Sequence, residues 1–195
     1  MKALWNSNSD IEWREALTSY VDVVSRQGVA KLPEHDRWYR DELPGLIASR
    51  KEPHVTHAEL VRATEWKMAR GVWRAPNLVL VRSNTPESVR ETSAGALAKI
   101  PDAMAPIAAL AKLKGVGPAT ASAVASAAAP DVYPFFDELV AEQVPTLGKV
   151  EWTLGYYARY ADAMRRRAVE LGAGWTPMSV AQALWAHSGG KARAK

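Results

Sequence analysis

The stretch Leu113-Lys114-Gly115-Val116-Gly117-Pro118 constrains this chain more than any other. It separates a small-residue run beginning at Pro106 from a second one that extends to about Ala129. Two glycines around one valine suit a hairpin that turns sharply and lets bare backbone come close to a neighbour. Pro118 has the fixed φ and the missing N–H that suit the first position of a helix. The amides of the turn and of the helix start are predicted to point outward, where they attract an anion such as phosphate. With Asp102 as the cap of its first helix, the helix, turn and helix make one unit over 102–130.

Helix signals dominate the rest of the chain. Ser9-Asp10-Ile11-Glu12 reads as a capping box, opening a helix that ends near Gly28 and buries Ile11, Leu17, Tyr20, Val21 and Val24. The preceding Met1 to Asn8 reads as frayed. A segment from Pro33 to Ser49, interrupted at Pro44-Gly45, takes Trp38 and Tyr39 as core anchors. Thr56-His57-Ala58-Glu59 opens a helix to Gly71, Pro76 starts one that stops at Ser83-Asn84, and Thr85-Pro86-Glu87 opens another to Ile100-Pro101. Beyond Asp137 come a short helix to Val144, a long one from about Val150 to Leu171, and one from Thr176-Pro177 to Gly189-Gly190. The best strand candidate, Leu78 to Val81, is short and flanked by helix signals, so the chain is predicted to be all-α. Residues 1–190 are expected to form one domain, followed by a flexible basic tail at 191–195.

Composition narrows the function classes. The chain has 195 residues, no cysteine and a net charge of +4, with a pI of about 9.4. That balance favours a polyanionic partner without requiring one. Zero cysteines exclude disulfides, thiolate metal sites and a four-cysteine iron–sulfur cluster. No signal peptide or spanning segment is visible, so a soluble intracellular protein without membrane contact is expected. His54 and His57 straddle a helix start and lack a third ligand in register, so no metal site is expected.

Leu113-Lys114-Gly115-Val116-Gly117-Pro118-Ala119-Thr120-Ala121 resembles the helix-hairpin-helix element of the helix-hairpin-helix (HhH-GPD) DNA glycosylase superfamily. In that family a catalytic aspartate follows the turn, and the position that matches it here is Asp137. The Leu147-Gly148 pair also matches the pattern. Two positions depart from it: Pro134 stands one residue farther from the aspartate than usual, and Leu139 replaces a frequent histidine. The resemblance implies a two-lobed helical bundle with a central DNA-binding cleft. It implies DNA contacts from Lys112, Lys114, Gly115, Val116, Gly117, Ala119 and Thr120, and catalysis by Asp137 in base excision repair. The partner would be double-stranded DNA with a flipped nucleotide, bound by a monomer. No cofactor is expected, although the family likeness allows a monovalent cation on the hairpin carbonyls.

Asp137 follows the apolar run Val132-Tyr133-Pro134-Phe135-Phe136 and precedes a helix. By itself, that placement describes a simple N-cap as well as a catalytic group. Cleaving an N-glycosidic bond leaves oxocarbenium-like charge on the sugar, which a fixed carboxylate stabilises while it orients water. The family's Schiff-base lysine position is occupied by Ala119, so hydrolysis without strand cleavage is expected. A second constellation runs from Glu65 to Arg74, where Glu65, Trp66, Arg70 and Trp73, together with Tyr133, are candidates for the base pocket or the lesion gap. Stacking on a base is one role for these tryptophans, and ordinary core packing is the other. Tyr156, Tyr157, Tyr160 and Trp152 read as core packing ahead of the basic run Arg165-Arg166-Arg167. Two alternatives stay open: a non-catalytic DNA-binding protein of the same fold, and a helical adaptor that binds protein through a tryptophan-rich surface.

Overall fold

A computed structural model describes residues 3–191, and among them every regular element is helical. The basic tail read at 191–195 lies outside the described residues except for Lys191. In chain order the α-helices are α1 (Asp10–Thr18), α2 (Tyr20–Ser25), α3 (Leu32–Arg37), α4 (Leu43–Ala48), α5 (His57–Arg70) and α6 (Ala75–Arg82). They continue with α7 (Pro86–Leu97), α8 (Ala105–Leu110), α9 (Pro118–Ala128), α10 (Glu138–Ala141), α11 (Leu154–Leu171) and α12 (Pro177–Ser188).

The predicted caps are present where the sequence marks them. Thr56 and Glu59 form a complete reciprocal capping box on α5. Thr85 caps α7 and Thr176 caps α12, while α11, expected from about Val150, starts only at Leu154 behind an unpredicted Thr153 cap. Ser9 accepts the amide of Glu12, but the return bond of a capping box is not made. The Leu78 to Val81 stretch is part of α6.

Three expectations need correction. The first helix is broken at Ser19, whose hydroxyl donates back to the Ala16 carbonyl at 2.8 Å, a bond that competes with the helical ladder. Its buried face is set by Trp13, Ala16, Tyr20, Val23 and Val24, whereas Ile11 and Val21 are 70% and 50% exposed. Trp13 takes that face because the distant Trp175 ring meets it edge-on there. Of the N-terminal segment, Met1 and Lys2 lie outside the described residues, and the part from Ala3 on is anchored rather than frayed. Leu4 is buried in a short 3₁₀ turn, Leu4–Asn6, and the Trp13 indole and Arg167 donate to the Ser7 and Trp5 carbonyls.

Pro44 does not cut the second segment in two at Gly45. The helix runs through a π-turn, Trp38–Glu42, and Pro44 sits in the first turn of α4, where its missing N–H breaks no helical bond. Trp38 and Tyr39 are buried as expected.

Helix α9 is the centre of the packing. Every residue from Ala119 to Ala127 is buried, and none has a side chain larger than valine. A helix that is apolar and small all round is a buried one, and here α4, α5 and α8 close in on it. The Tyr39 hydroxyl donates to the Ala123 carbonyl at 2.7 Å, and the Tyr39 ring stacks on Trp66 with centroids 3.6 Å apart. One continuous apolar cluster runs from Leu4 to Ala186, with α12 packed against α1 and α11.

Candidate active site in the cleft at the start of α9

The turn before α9 is held from inside. Asn84, just past α6, donates its side-chain amide to the Lys114 carbonyl and accepts the Lys114 N–H, both at 3.0 Å. Gly115 has φ +73°, and a Cβ there would stand 2.6 Å from the Asn77 carbonyl oxygen and 2.8 Å from the Val81 nitrogen. The close approach that this glycine permits is therefore to α6, not to a ligand. Gly117 differs: its φ is −94°, it is exposed, and a Cβ there would meet nothing within 4 Å. As the N-cap of α9 it offers no side chain to the first-turn amides, which leaves Ala119 and Thr120 N–H groups at the mouth of a helix dipole.

Asp137 reaches the same place by another route. The segment before it is pinned by α11, where the Tyr157 and Tyr160 hydroxyls donate to the Pro134 and Phe135 carbonyls at 3.2 and 2.7 Å. It is also pinned by α9 itself, because the Phe136 N–H donates to Ser122 Oγ at 2.9 Å. Asp137 then caps α10, with Oδ1 accepting the Leu139 N–H at 2.9 Å. Its Oδ2 accepts from Arg70 Nε at 3.0 Å.

Arg70 is 2% exposed, which is unusual for an unmatched arginine, and the matching is extensive. Its Nη1 donates to the Tyr20 hydroxyl at 2.5 Å, and the guanidinium carbon lies 4.2 Å from the Trp185 ring centroid. The Tyr20 hydroxyl in turn donates to Asp36, which also accepts from Trp66 Nε1 and Arg40. Burial pushes the Tyr20 hydroxyl well above its ordinary range despite the positive Arg70, so it remains a neutral donor. For Arg70 burial opposes the charge, yet the Asp137 and Asp36 carboxylates act against it and the pKa is raised.

These parts open onto one cleft of about 380 Å³. One wall is Gly117 to Thr120, with Phe135, Phe136, Asp137, Glu138 and Leu139 beside it. The rest of the lining comes from the end of α5, the loop after it and the start of α6: Lys67, Arg70, Gly71, Val72, Arg74 and Asn77. Trp152 and Lys191 complete the rim. The Lys191 ammonium donates to the Gly71 carbonyl. Lys67 is half-buried, and burial together with the charge of Arg74 lowers its pKa to about 8.

Several predicted site residues lie elsewhere. Trp66 is fully buried, stacked and hydrogen-bonded in the core, so it takes the packing role. Tyr133 is buried and donates to the Asp102 carbonyl at 2.6 Å. Glu65 pairs with Arg82 at 2.7 Å outside the cleft; the carboxylate that joins Asp137 in the lining is Glu138. Val116 is core. Lys112 and Lys114 are exposed but do not line the cleft, whose cations are Lys67, Arg70, Arg74 and Lys191. Trp73 is 54% exposed and lines an adjoining cavity that shares Arg70, Gly71 and Lys191 with the first. His54 and His57 rings bond the Glu52 and Arg82 carbonyls.

The cationic wall was available in the sequence as the spacing Lys67, Arg70, Arg74. Lys67 and Arg70 fall one turn apart on α5 and Arg74 lies in the loop beyond it, a signal masked by the more conspicuous tryptophans. Trp152, expected in the core, stands 46% exposed over Phe136, with ring centroids 4.9 Å apart. Comparison with family models, with curated proteins and with solved structures finds no match.

Proposed function

We propose that the chain is a DNA glycosylase of the helix-hairpin-helix type, acting as an intracellular monomer on double-stranded DNA in base excision repair. The observation that carries this reading is the shared wall of the cleft, where the Asp137 carboxylate lies beside the uncapped start of α9. The Gly117, Ala119 and Thr120 amides would hold a backbone phosphate, with Arg74 and Lys191 adding to the field. A volume of about 380 Å³ lies in the range of small-ligand sites, about 300–1,000 Å³, and suits a flipped nucleotide with Trp152 as a stacking surface. Each Asp137 oxygen spends one acceptor site on Leu139 or Arg70. A carboxylate oxygen has a second, free to face oxocarbenium charge and an attacking water.

The Arg70 contact also favours a second reading. A carboxylate already capping a helix and paired to a buried guanidinium is what a purely structural aspartate looks like, and the protein would then be a DNA clamp without chemistry. Base release separates the two. Duplexes carrying a panel of alkylated, deaminated and oxidised bases are incubated with the wild type and with Asp137→Asn, which keeps size and capping ability. Loss of a group of this kind costs on the order of a hundredfold or more in rate. Release that is unaffected by the substitution in a folded variant refutes the mechanism. No release at all, with salt-sensitive duplex binding, leaves the clamp.

A further inference from the structure

Asp137 is held in the cleft by a series of buried hydrogen bonds whose far end neither reading uses. Asp36, buried on α3, accepts from the Tyr20 hydroxyl at 2.7 Å and from Trp66 Nε1 at 3.0 Å through Oδ1, and from Arg40 Nε at 2.8 Å through Oδ2. The Tyr20 hydroxyl, its proton spent on Asp36, accepts from Arg70 Nη1 at 2.5 Å, and Arg70 Nε reaches Asp137 Oδ2 at 3.0 Å. A phenol has a single proton to give, so the direction of each bond fixes the next. Rings confine the Arg70 guanidinium as well, with Trp185 at 4.2 Å and Phe135 and Tyr20 both at 5.4 Å from its carbon. Neither Tyr20 nor Asp36 lines the cleft. Asp36 is already paired with Arg40, and it is the Tyr20 hydroxyl that joins it to the pair of Arg70 and Asp137.

We propose that Tyr20, anchored on Asp36, is a positioning residue for Asp137: acting through Arg70, it sets the angle at which the carboxylate turns its free acceptor sites to the cleft. This rests on the reading of Asp137 as the acid that faces positive charge developing on a sugar. The terminal torsion of an aspartate is broad, and the bond from Leu139 N–H to Oδ1 fixes only one of the two oxygens. The Arg70 bond to Oδ2 fixes the other. Arginine is itself a long side chain with much rotamer freedom, so its grip on the acid is only as well placed as its own second anchor. Without the Tyr20 hydroxyl, Nη1 is a buried donor short of its acceptor, and the guanidinium is free to tilt between the rings. The charge of Asp137 and the walls of the cleft stay as they are, while the aim of the carboxylate broadens. A misplacement of about 1 Å at a reacting centre costs on the order of a hundredfold, which is why so remote a hydroxyl matters.

The test uses the full chain and two duplexes that differ at one sugar. One carries a protonated pyrrolidine ring, with positive charge where oxocarbenium charge would develop, and the other an uncharged tetrahydrofuran. The ratio of their dissociation constants reads the aim of the acid without requiring turnover. The wild type is expected to prefer the charged ring on the order of a hundredfold. Tyr20→Phe, which keeps the ring packed on Trp185, should cut that preference on the order of tenfold and leave tetrahydrofuran binding unchanged. Tyr39→Phe removes another buried hydroxyl, one bonded to Ala123 and Ser126 and outside this series, and should keep the preference; a merely structural role for Tyr20 would make the two variants behave alike. No preference in the wild type, a preference undiminished in Tyr20→Phe, or an equal loss in Tyr39→Phe overturns the proposal. Should Tyr20→Phe fail to fold, as judged by its thermal melt, Asp36→Asn, which takes away the carboxylate that Tyr20 donates to, decides by the same ratio. A preference that depends on Tyr20 without base release on the lesion panel keeps this inference and removes the glycosylase, and base release with a preference indifferent to Tyr20 does the reverse.

Discussion

The two glycines of the turn before α9 look equivalent in sequence and are predicted to respond oppositely to a methyl group. In Gly115→Ala the new Cβ would stand 2.6 Å from the Asn77 oxygen, 2.8 Å from the Val81 nitrogen and 2.9 Å from Leu80 Cβ. Two of those atoms are α6 backbone, which cannot rotate aside. The residue would also be forced to φ +73°, a left-handed conformation that costs an L-residue about 1–2 kcal/mol. Overpacking a tight contact adds about 1–3 kcal/mol, so the expected destabilisation is about 2–5 kcal/mol. For a chain of this size that lowers Tm by about 4–20 °C. Gly117→Ala, at φ −94° with nothing within 4 Å of the added carbon, should remain within about 1 kcal/mol of the wild type. Urea titrations followed by far-UV circular dichroism measure both. A Gly115→Ala variant within about 0.5 kcal/mol of the wild type would refute the close approach to α6, and equal losses in the two variants would refute the division of labour between the glycines.

Arg70→Met should destabilise the fold by about 3–5 kcal/mol, because it strips the counter-charge from buried Asp137 and the donor from Tyr20; a loss under about 1 kcal/mol in urea titration would show the pair to be dispensable. Stability should also rise between about pH 8 and pH 10. The Lys67 pKa in the folded chain, about 8, lies below its ordinary value of 10.5, so the unfolded chain holds more protons in that window and raising the pH favours the native state. Above pH 10 the trend reverses. Burial pushes the Tyr20 and Tyr160 hydroxyls up, so deprotonation then favours the unfolded chain. Urea midpoints at pH 7.5 and 9.5 should differ in the wild type and converge in Lys67→Met; an unchanged difference in the variant would assign the effect elsewhere.

Local chemistry made much of the helical fold legible in the sequence. The caps at Thr56, Thr85 and Thr176 act through bonds to residues three positions away, and the small-residue run of α9 declares its own burial. What stayed hidden depends on distant partners. Nothing within α1 says that Trp13 rather than Ile11 chooses the buried face, because that depends on Trp175 meeting it edge-on with centroids 6.0 Å apart. Nothing near Asn84 says that it will clamp Lys114, thirty residues on. At the site, Asp137 and Gly117 were visible from their spacing, and Arg70 was marked as a pocket candidate. The ion pair between Arg70 and Asp137 and the lowered pKa of Lys67 required knowing how α5 lies against the 132–137 segment.

The Ser122–Phe136 hydrogen bond makes the α9 wall of the cleft a single cassette. Acid, turn and helix start travel together within one contiguous length of chain, whereas the cationic wall belongs to α5 and the loop after it. The register of that carboxylate is set from outside this length of chain as well, by Tyr157 and Tyr160 on the segment before it, Asn84 on the turn and Arg70 on the acid itself. Selection acting on Lys67 or Arg74 can accordingly retune what the cleft accepts, whereas a change at Arg70 would also release the acid it holds.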